Sequence, residues 1–488
     1  MSTHGSYRSK NLQRREFLFK SSATAAACLV PHLDAFSAND LTGKLASYMA
    51  SARNLELPPN VLTDAKFRIL DTVAAIVSGS KLPPGEMAMR FARTQGGTPE
   101  ASILASKMKT TVINAAMINA MFAHSDESDD FEPVTKAHPG SATVPAALAF
   151  AQKEHRSGTD LIRGVALGYD VGCRFLMALG PDHVRGTHRG AEAYNATMSA
   201  MASAASLAHL NEQQMRYAIS YAAQQVSGLW SWVDDHDHIE KSFDFSGMGA
   251  RNGATAVEMV QQGLTGVSDV LDGKHNLLIA LSTQPKPEAL VAELGSRFFI
   301  TESSIKNFPV GYPNQAPLDA FLKLYRANNL TPDKVSKITV RLPEDAIGIV
   351  GRSPMPDVNC PYLISTALLE GTVSFANAHS QERMKDPIVR SQMEKVTVIG
   401  DSALNDPLAP RGGIVEVYLK DGTALKEHTR FPPGTKENPL SAEVVSSKAR
   451  DLMSPILGKQ KTENVISQLL NLEKMKDVNQ LISLLIAK

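Results

Sequence analysis

Cysteine is nearly missing from this sequence: 488 residues hold only Cys28, Cys173 and Cys360, each isolated. With no CxxC pair and no three-cysteine spacing, an iron–sulfur cluster has no ligand set, which excludes a cluster-based hydratase. A surplus of either charge is missing as well. Lys and Arg total 50 and Asp and Glu total 50, so the domain-wide basic footprint of nucleic-acid binding is absent. No HExxH spacing marks a zinc helix, and no repeat or low-complexity tract occurs. What remains is ordinary globular usage, 43% hydrophobic and 20% charged, over a length that fits about two to four domains.

The N-terminus reads as a separate object. Arg8, Lys10, Arg14, Arg15 and Lys20 stand against Glu16 alone, and an uncharged, Ala-rich run follows over residues 21–30. Arg14-Arg15-Glu16-Phe17-Leu18 matches the twin-arginine pattern, and Ala35-Phe36-Ser37 offers a small-x-small cleavage site. The apolar run is too short to cross a bilayer. The expectation is a signal peptide over 1–37, export in the folded state to the periplasm, and no membrane attachment after cleavage. The mature chain then holds 45 basic and 48 acidic residues. Cys173 and Cys360 are free to pair in an oxidising compartment if the fold brings them together.

From residue 41 to about 281 apolar residues recur at three- and four-residue spacing between Gly, Pro and Asn-rich joints, which predicts helices and no strand. Residues 196–208 are small almost all round, as suits a helix buried among helices. Beyond 300 the period changes. Residues 337–342 and 414–419 alternate with period two, and the second run meets Lys420-Asp421-Gly422-Thr423, which predicts a hairpin with a type I′ turn. A helix is expected from Tyr362 to about Ala376, and Ser441 is the expected N-cap of a helical C-terminus. The fold class is therefore mainly α: a large all-helical domain built from both ends of the chain, 38–302 and 438–488, with a smaller α+β lid inserted over 303–437.

The densest polar cluster is His124-Ser125-Asp126-Glu127-Ser128-Asp129-Asp130, followed by Lys136-Ala137-His138-Pro139-Gly140 at the start of a helical run. Crowded carboxylates raise at least one pKa, and a His at a helix N-terminus sits beside N–H groups that welcome an anion. A solvated acidic loop, with Asp129 or Ser141 capping a helix, explains the same composition. His236 and His238 flank Asp237 and suggest a metal site if both point one way. Lys241, close to Phe243 and Phe245, is a base candidate if those rings desolvate its amine, and an ordinary surface Lys otherwise.

Taken in order, these segments resemble the MmgE/PrpD family over nearly all of the mature chain. The resemblance is carried by 124–130 with His138-Pro139-Gly140, Gly168-Tyr169-Asp170-Val171-Gly172, Lys241 followed by 249–253, Lys306-Asn307-Phe308-Pro309, Tyr362 with Glu370-Gly371, and Asn438-Pro439-Leu440-Ser441. It implies a helical domain with an α+β lid, a homodimer, and no required cofactor or metal. It also implies catalytic roles for Asp129, Asp130, His138, Lys241 and Tyr362, and substrate binding by Lys306, His188 and His124. The chain departs from the family in the lid, where Gly311 and Gln315 stand in place of a frequent His.

These residue types suit proton abstraction α to a carboxylate, where cations neutralise the developing charge and a positioned group moves the proton. The expected function is a cofactor-independent lyase or isomerase on a small di- or tricarboxylic acid, with dehydration of the 2-methylcitrate type leading and decarboxylation or epimerisation as alternatives. A periplasmic carboxylate-binding protein without chemistry, and a metal-dependent lyase using His236 and His238, are the rivals.

Overall fold

The structure, a computed structural model, describes residues 40–486. The expected signal peptide, Cys28 included, lies outside the described residues.

Residues 41–305 and 445–485 share one apolar core, whereas residues 310–417 surround a second. The first is helical. Its centre is the helix Ala191–Leu207, in which every residue is buried, packed between the helices Gly158–Leu179 and Met248–Gln261. Small residues set that distance: a Cβ on Gly253 would lie 2.5 Å from the Met201 backbone nitrogen, and one on Gly172 would lie 2.7 Å from the Ser199 Cβ. The C-terminal helix Ala442–Leu457, capped by Ser441 as expected, packs on the helix Pro59–Gly79. Gly458, at φ 81°, ends it, and the rest of the C-terminus forms the helices Lys459–Leu470 and Asn479–Leu485.

The second core belongs to a four-stranded sheet. Val335–Leu342 lies at its centre, parallel to Val396–Gly400 on one side and antiparallel to Gly413–Leu419 on the other, and Ala424–Thr429 forms the far edge. Val415 and Val417 point inward and are fully buried, the period-two signature made real. The helix Gln315–Asn328 covers the last two strands.

Four details differ from expectation. Ala101–Ser102 and Lys109–Thr110 pair as a short antiparallel ladder inside the helical region. Val396–Gly400 is a strand that the alternation of neighbouring segments did not single out. The helix expected to run to Ala376 spans Cys360–Glu370, stopped by Gly371 at φ 71°. The hairpin turn is not type I′, because only Gly422 (φ 91°) has positive φ; its N–H donates to Leu419 O, the pattern of a type I turn closed by a glycine bulge. Cys173 and Cys360 are both buried and unpaired.

Candidate active site

The loop joining the helices Val112–Ala123 and Pro139–Lys153 holds the acidic cluster, and it is not solvated: no residue from His124 to Asp130 is more than 4% exposed. Buried carboxylates demand partners, and the fold supplies them from distant elements. Asp126 accepts from Ser128 N and Oγ and from Ser78 Oγ. His379 Nε2 lies 2.7 Å from the Asp126 carbonyl, bringing a residue from beyond the lid helix to the loop. Lys448, from the C-terminal helix, donates to Ser128 O at 2.7 Å and pairs with Asp71.

Inside this frame Glu127 and Asp129 anchor an ionic cluster. Glu127, at φ 53°, pairs with Lys241 and, at 3.2 Å, with Lys306. Asp129 Oδ2 accepts from His124 Nδ1 at 2.8 Å and lies 3.2 Å from His138 Nδ1, while Oδ1 lies 3.3 Å from Lys306 Nζ. Burial pushes both carboxyls up, but Lys241 and Lys306 for Glu127, and His124, His138 and Lys306 for Asp129, overcome it and hold both well below their ordinary values. For Lys306 burial pulls the amine down, and Asp129 and Glu127 more than reverse it. Burial lowers His124 and, more strongly, His238, whose Nε2 lies 2.9 Å from the His124 carbonyl. His124 stacks on Phe245 at 4.5 Å. The Lys241 amine sits 4.9 Å from the Phe245 ring and 5.2 Å from Trp232, so the aromatic surroundings are present, but its partner is the Glu127 carboxylate.

Beside the cluster opens a cavity of about 290 Å³. Of the candidate residues, His138 and Lys241 reach its wall. With Nδ1 turned toward Asp129, His138 has Nε2 left for the cavity. The other candidates are placed differently. Asp129 and His124 stand behind His138, fully buried. Lys306 is fully buried between two carboxylates and holds them, not a ligand, in this arrangement. Asp130 faces the opposite way: it accepts from Tyr169 OH at 2.6 Å and from Gly140 N at 2.9 Å, fixing the start of the next helix. Gly140 is required there, because a Cβ would lie 2.7 Å from Asp130 Oδ1. Tyr362 belongs to the second core, its hydroxyl donating to Asn377 O. His188 is exposed, and its carbonyl accepts from Trp230 N at 3.0 Å.

The cavity wall also contains residues that the sequence did not mark. Lys136, Arg185 and Arg411 line it, with Glu192 and Asp345 as their counterions. Phe131 and Tyr312 stack at 4.0 Å and form an apolar side; burial pushes the Tyr312 hydroxyl up to about 12. Gly311 lies on the wall, and Gln315 closes the turn before it with bonds to Phe308 N and O at 3.0 and 2.8 Å. Spaced His–x–Asp or Lys–x–Phe–Pro signals have a local signature, whereas isolated Arg residues do not.

His236 and His238 do not share a face. His236 is exposed and His238 buried. Two other triads, His124/Glu127/His238 and His124/Asp129/His138, bring three donor atoms within 4.8 Å of one another. Their carboxylates are already engaged by the fixed ammonium groups of Lys241 and Lys306. A divalent cation would compete with two lysines for Glu127 in the first triad and with Lys306 for Asp129 in the second, so the donor set does not suit one.

Residues 43–290 match the family model described as the MmgE/PrpD N-terminal domain, and residues 308–473 match that of the MmgE/PrpD C-terminal domain. Over 481 residues the chain is 24% identical to a cis-aconitate decarboxylase-like protein of Aspergillus oryzae, covering 93% of this chain and 98% of that one. It is 24% identical over the same length to a cis-aconitate decarboxylase of Aspergillus terreus, covering 93% and 97%. A cis-aconitate decarboxylase of Mus musculus is 25% identical over 402 residues, 76% of this chain and 78% of that one.

Proposed function

The chain belongs to the MmgE/PrpD family, and from that premise we propose that it is a lyase acting on a small acid with more than one carboxylate. The observation that carries this reading is His138 on the wall of a cation-lined cavity, with Asp129 against its inner nitrogen and Lys241 beside it. Asp129 orients the imidazole, and His138 moves a proton to or from the carbon α to a carboxylate. Lys241 and its neighbours offset the charge that grows on the carboxylate oxygens.

This arrangement serves two cleavages. In loss of carbon dioxide, the carbon–carbon bond to one carboxylate breaks, its electron pair passes into conjugation with a remaining carboxylate, and His138 delivers a proton to carbon. In dehydration, His138 removes the α proton, and the carbon–oxygen bond breaks as the departing hydroxyl is protonated. The relatives named above give the first reaction its support, and the residue pattern read from the sequence, suited to proton abstraction α to a carboxylate, supports the second. Export through the twin-arginine route and a homodimeric state belong to the same proposal, resting on Arg14-Arg15 and on the family.

Proton NMR of di- and tricarboxylates, cis-aconitate among them, incubated with the protein in deuterated water tests the reading. The expected result is a deuterated product or a new alkene signal from one acid, abolished in His138→Ala and Lys241→Ala. Unchanged turnover in both variants would overturn the site. Silence across acids that demonstrably bind would overturn the enzyme and leave a carboxylate-binding protein.

A further inference from the structure

Arg411 is 7% exposed, lines the cavity, and directs both terminal nitrogens at a single carboxylate, Asp345, at 2.7 and 3.0 Å. That carboxylate is an unusual partner for a buried guanidinium, because 49% of its side chain is in solvent. It is also shared: Lys136, from the loop before the helix Pro139–Lys153, reaches it at 2.7 Å, so two cations divide one anion. The Nε of Arg411 is buried with no acceptor among the described residues, and so is one terminal nitrogen of Arg185, whose other terminal nitrogen is taken by Glu192 and Thr135 O. On this wall three cations, Lys136, Arg185 and Arg411, share two carboxylates, Asp345 and Glu192.

We propose that Arg411 and Lys136 form a carboxylate subsite in which Asp345 stands in for the substrate, and that Arg185 supplies a second anchor across the cavity. The substrate carboxylate displaces Asp345, whose half-exposed side chain returns to water at little cost, and makes the bidentate contact that Arg geometry favours. The site then selects acids with at least two carboxylates: one held at the rim, the other presented to His138 and Lys241. This inference rests on the proposed acid-cleaving function, but its test does not require turnover.

The test is calorimetric binding of three unreactive saturated acids, propane-1,2,3-tricarboxylate, glutarate and butyrate, to the wild type, Arg411→Gln, Arg411→Lys and Asp345→Asn. The wild type is expected to bind in the order tri- over di- over monocarboxylate. A charge-assisted contact is worth about 1.5–3 kcal/mol, so Arg411→Gln should reduce the preference for the tricarboxylate over butyrate by about 10- to 100-fold, with Arg411→Lys in between. Asp345→Asn should move the opposite way, raising tricarboxylate affinity several-fold without affecting butyrate, because it vacates the guanidinium. A purely structural Arg411–Asp345 pair would leave the ratio unchanged in all variants, and that outcome overturns the subsite. A shifted ratio with no turnover on any acid would keep the subsite and remove the enzyme; turnover with an unshifted ratio would do the reverse.

Discussion

Around Glu127 and Asp129 each buried charge has an opposite charge against it and almost no water; at the rim Asp345 serves two cations while half of its side chain stays wet. The two clusters meet at one cavity but answer to different physics. In the inner one, desolvation makes any single removal expensive, because the abandoned partner stays buried and charged. In the outer one, Asp345 can return to water, so another carboxylate can take its place beside Arg411. The inner cluster is suited to holding His138 in place, and the rim is suited to trading one carboxylate for another.

The sharpest way to break this comparison is Lys306→Met, which leaves Glu127 and Asp129 short of a counterion in a fully buried site. A loss of about 3–5 kcal/mol in denaturant unfolding is expected, and a loss below 1 kcal/mol would mean that the inner cluster tolerates exchange after all. Lys448→Met removes the donor to Ser128 O and the partner of Asp71, which burial has already pushed up to about 6. About 1–3 kcal/mol should be lost there, with His138-dependent turnover falling in parallel if that carbonyl fixes the loop. For the rim, Asp345→Asn should cost less than Lys306→Met, about 1–3 kcal/mol in unfolding, because it leaves the buried Arg411 short of an acceptor while Asp345 itself is half exposed. Burial raises Asp345, but Arg411 and Lys136 outweigh it and hold the carboxyl at about 2 in the fold. Its contribution is therefore present above pH 3.8 and disappears as pH falls through about 2, so variant and wild type should converge in acid.

Asp244 separates the two regimes most finely. Burial, then Glu192, pushes its carboxyl up to about 7 from an ordinary 3.8. The folded state keeps a proton that the unfolded chain has released, so this group's stabilisation fades as pH rises through that window. Asp244→Asn should abolish the fade, and its melting temperature relative to wild type should climb between about pH 4 and about pH 7 and level off above that. A flat difference would place Asp244 with the solvated rim.

The sequence made the helical region, three of the four lid strands and the acidic loop legible, because each depends on local period or local crowding. The orientation of adjacent aspartates was not legible: Asp129 turns to the His cluster and Asp130 to Tyr169 and Gly140, and only the tertiary path decides which is which. Lys306 and Lys241 carried their family signal, yet one is sealed between carboxylates and the other reaches the cavity. Arg185, Asp345 and Arg411 escaped notice, and Lys136 was read only as part of the segment before His138, because each looks like an ordinary surface charge until four separate segments fold around one space. Val396–Gly400 is only five residues long and pairs with a strand more than fifty positions away, so little in its own segment announces it.

The bond from Lys448 to Ser128 O spans 320 positions. A chain growing on the ribosome contains the whole acidic loop long before it contains this lysine. Until the C-terminal helix emerges and docks on Pro59–Gly79, the carbonyl between Glu127 and Asp129 has no donor and Asp71 has no counterion. The acidic loop therefore gains this brace late in synthesis, and a product truncated before residue 448 retains every candidate proton-transfer group without it.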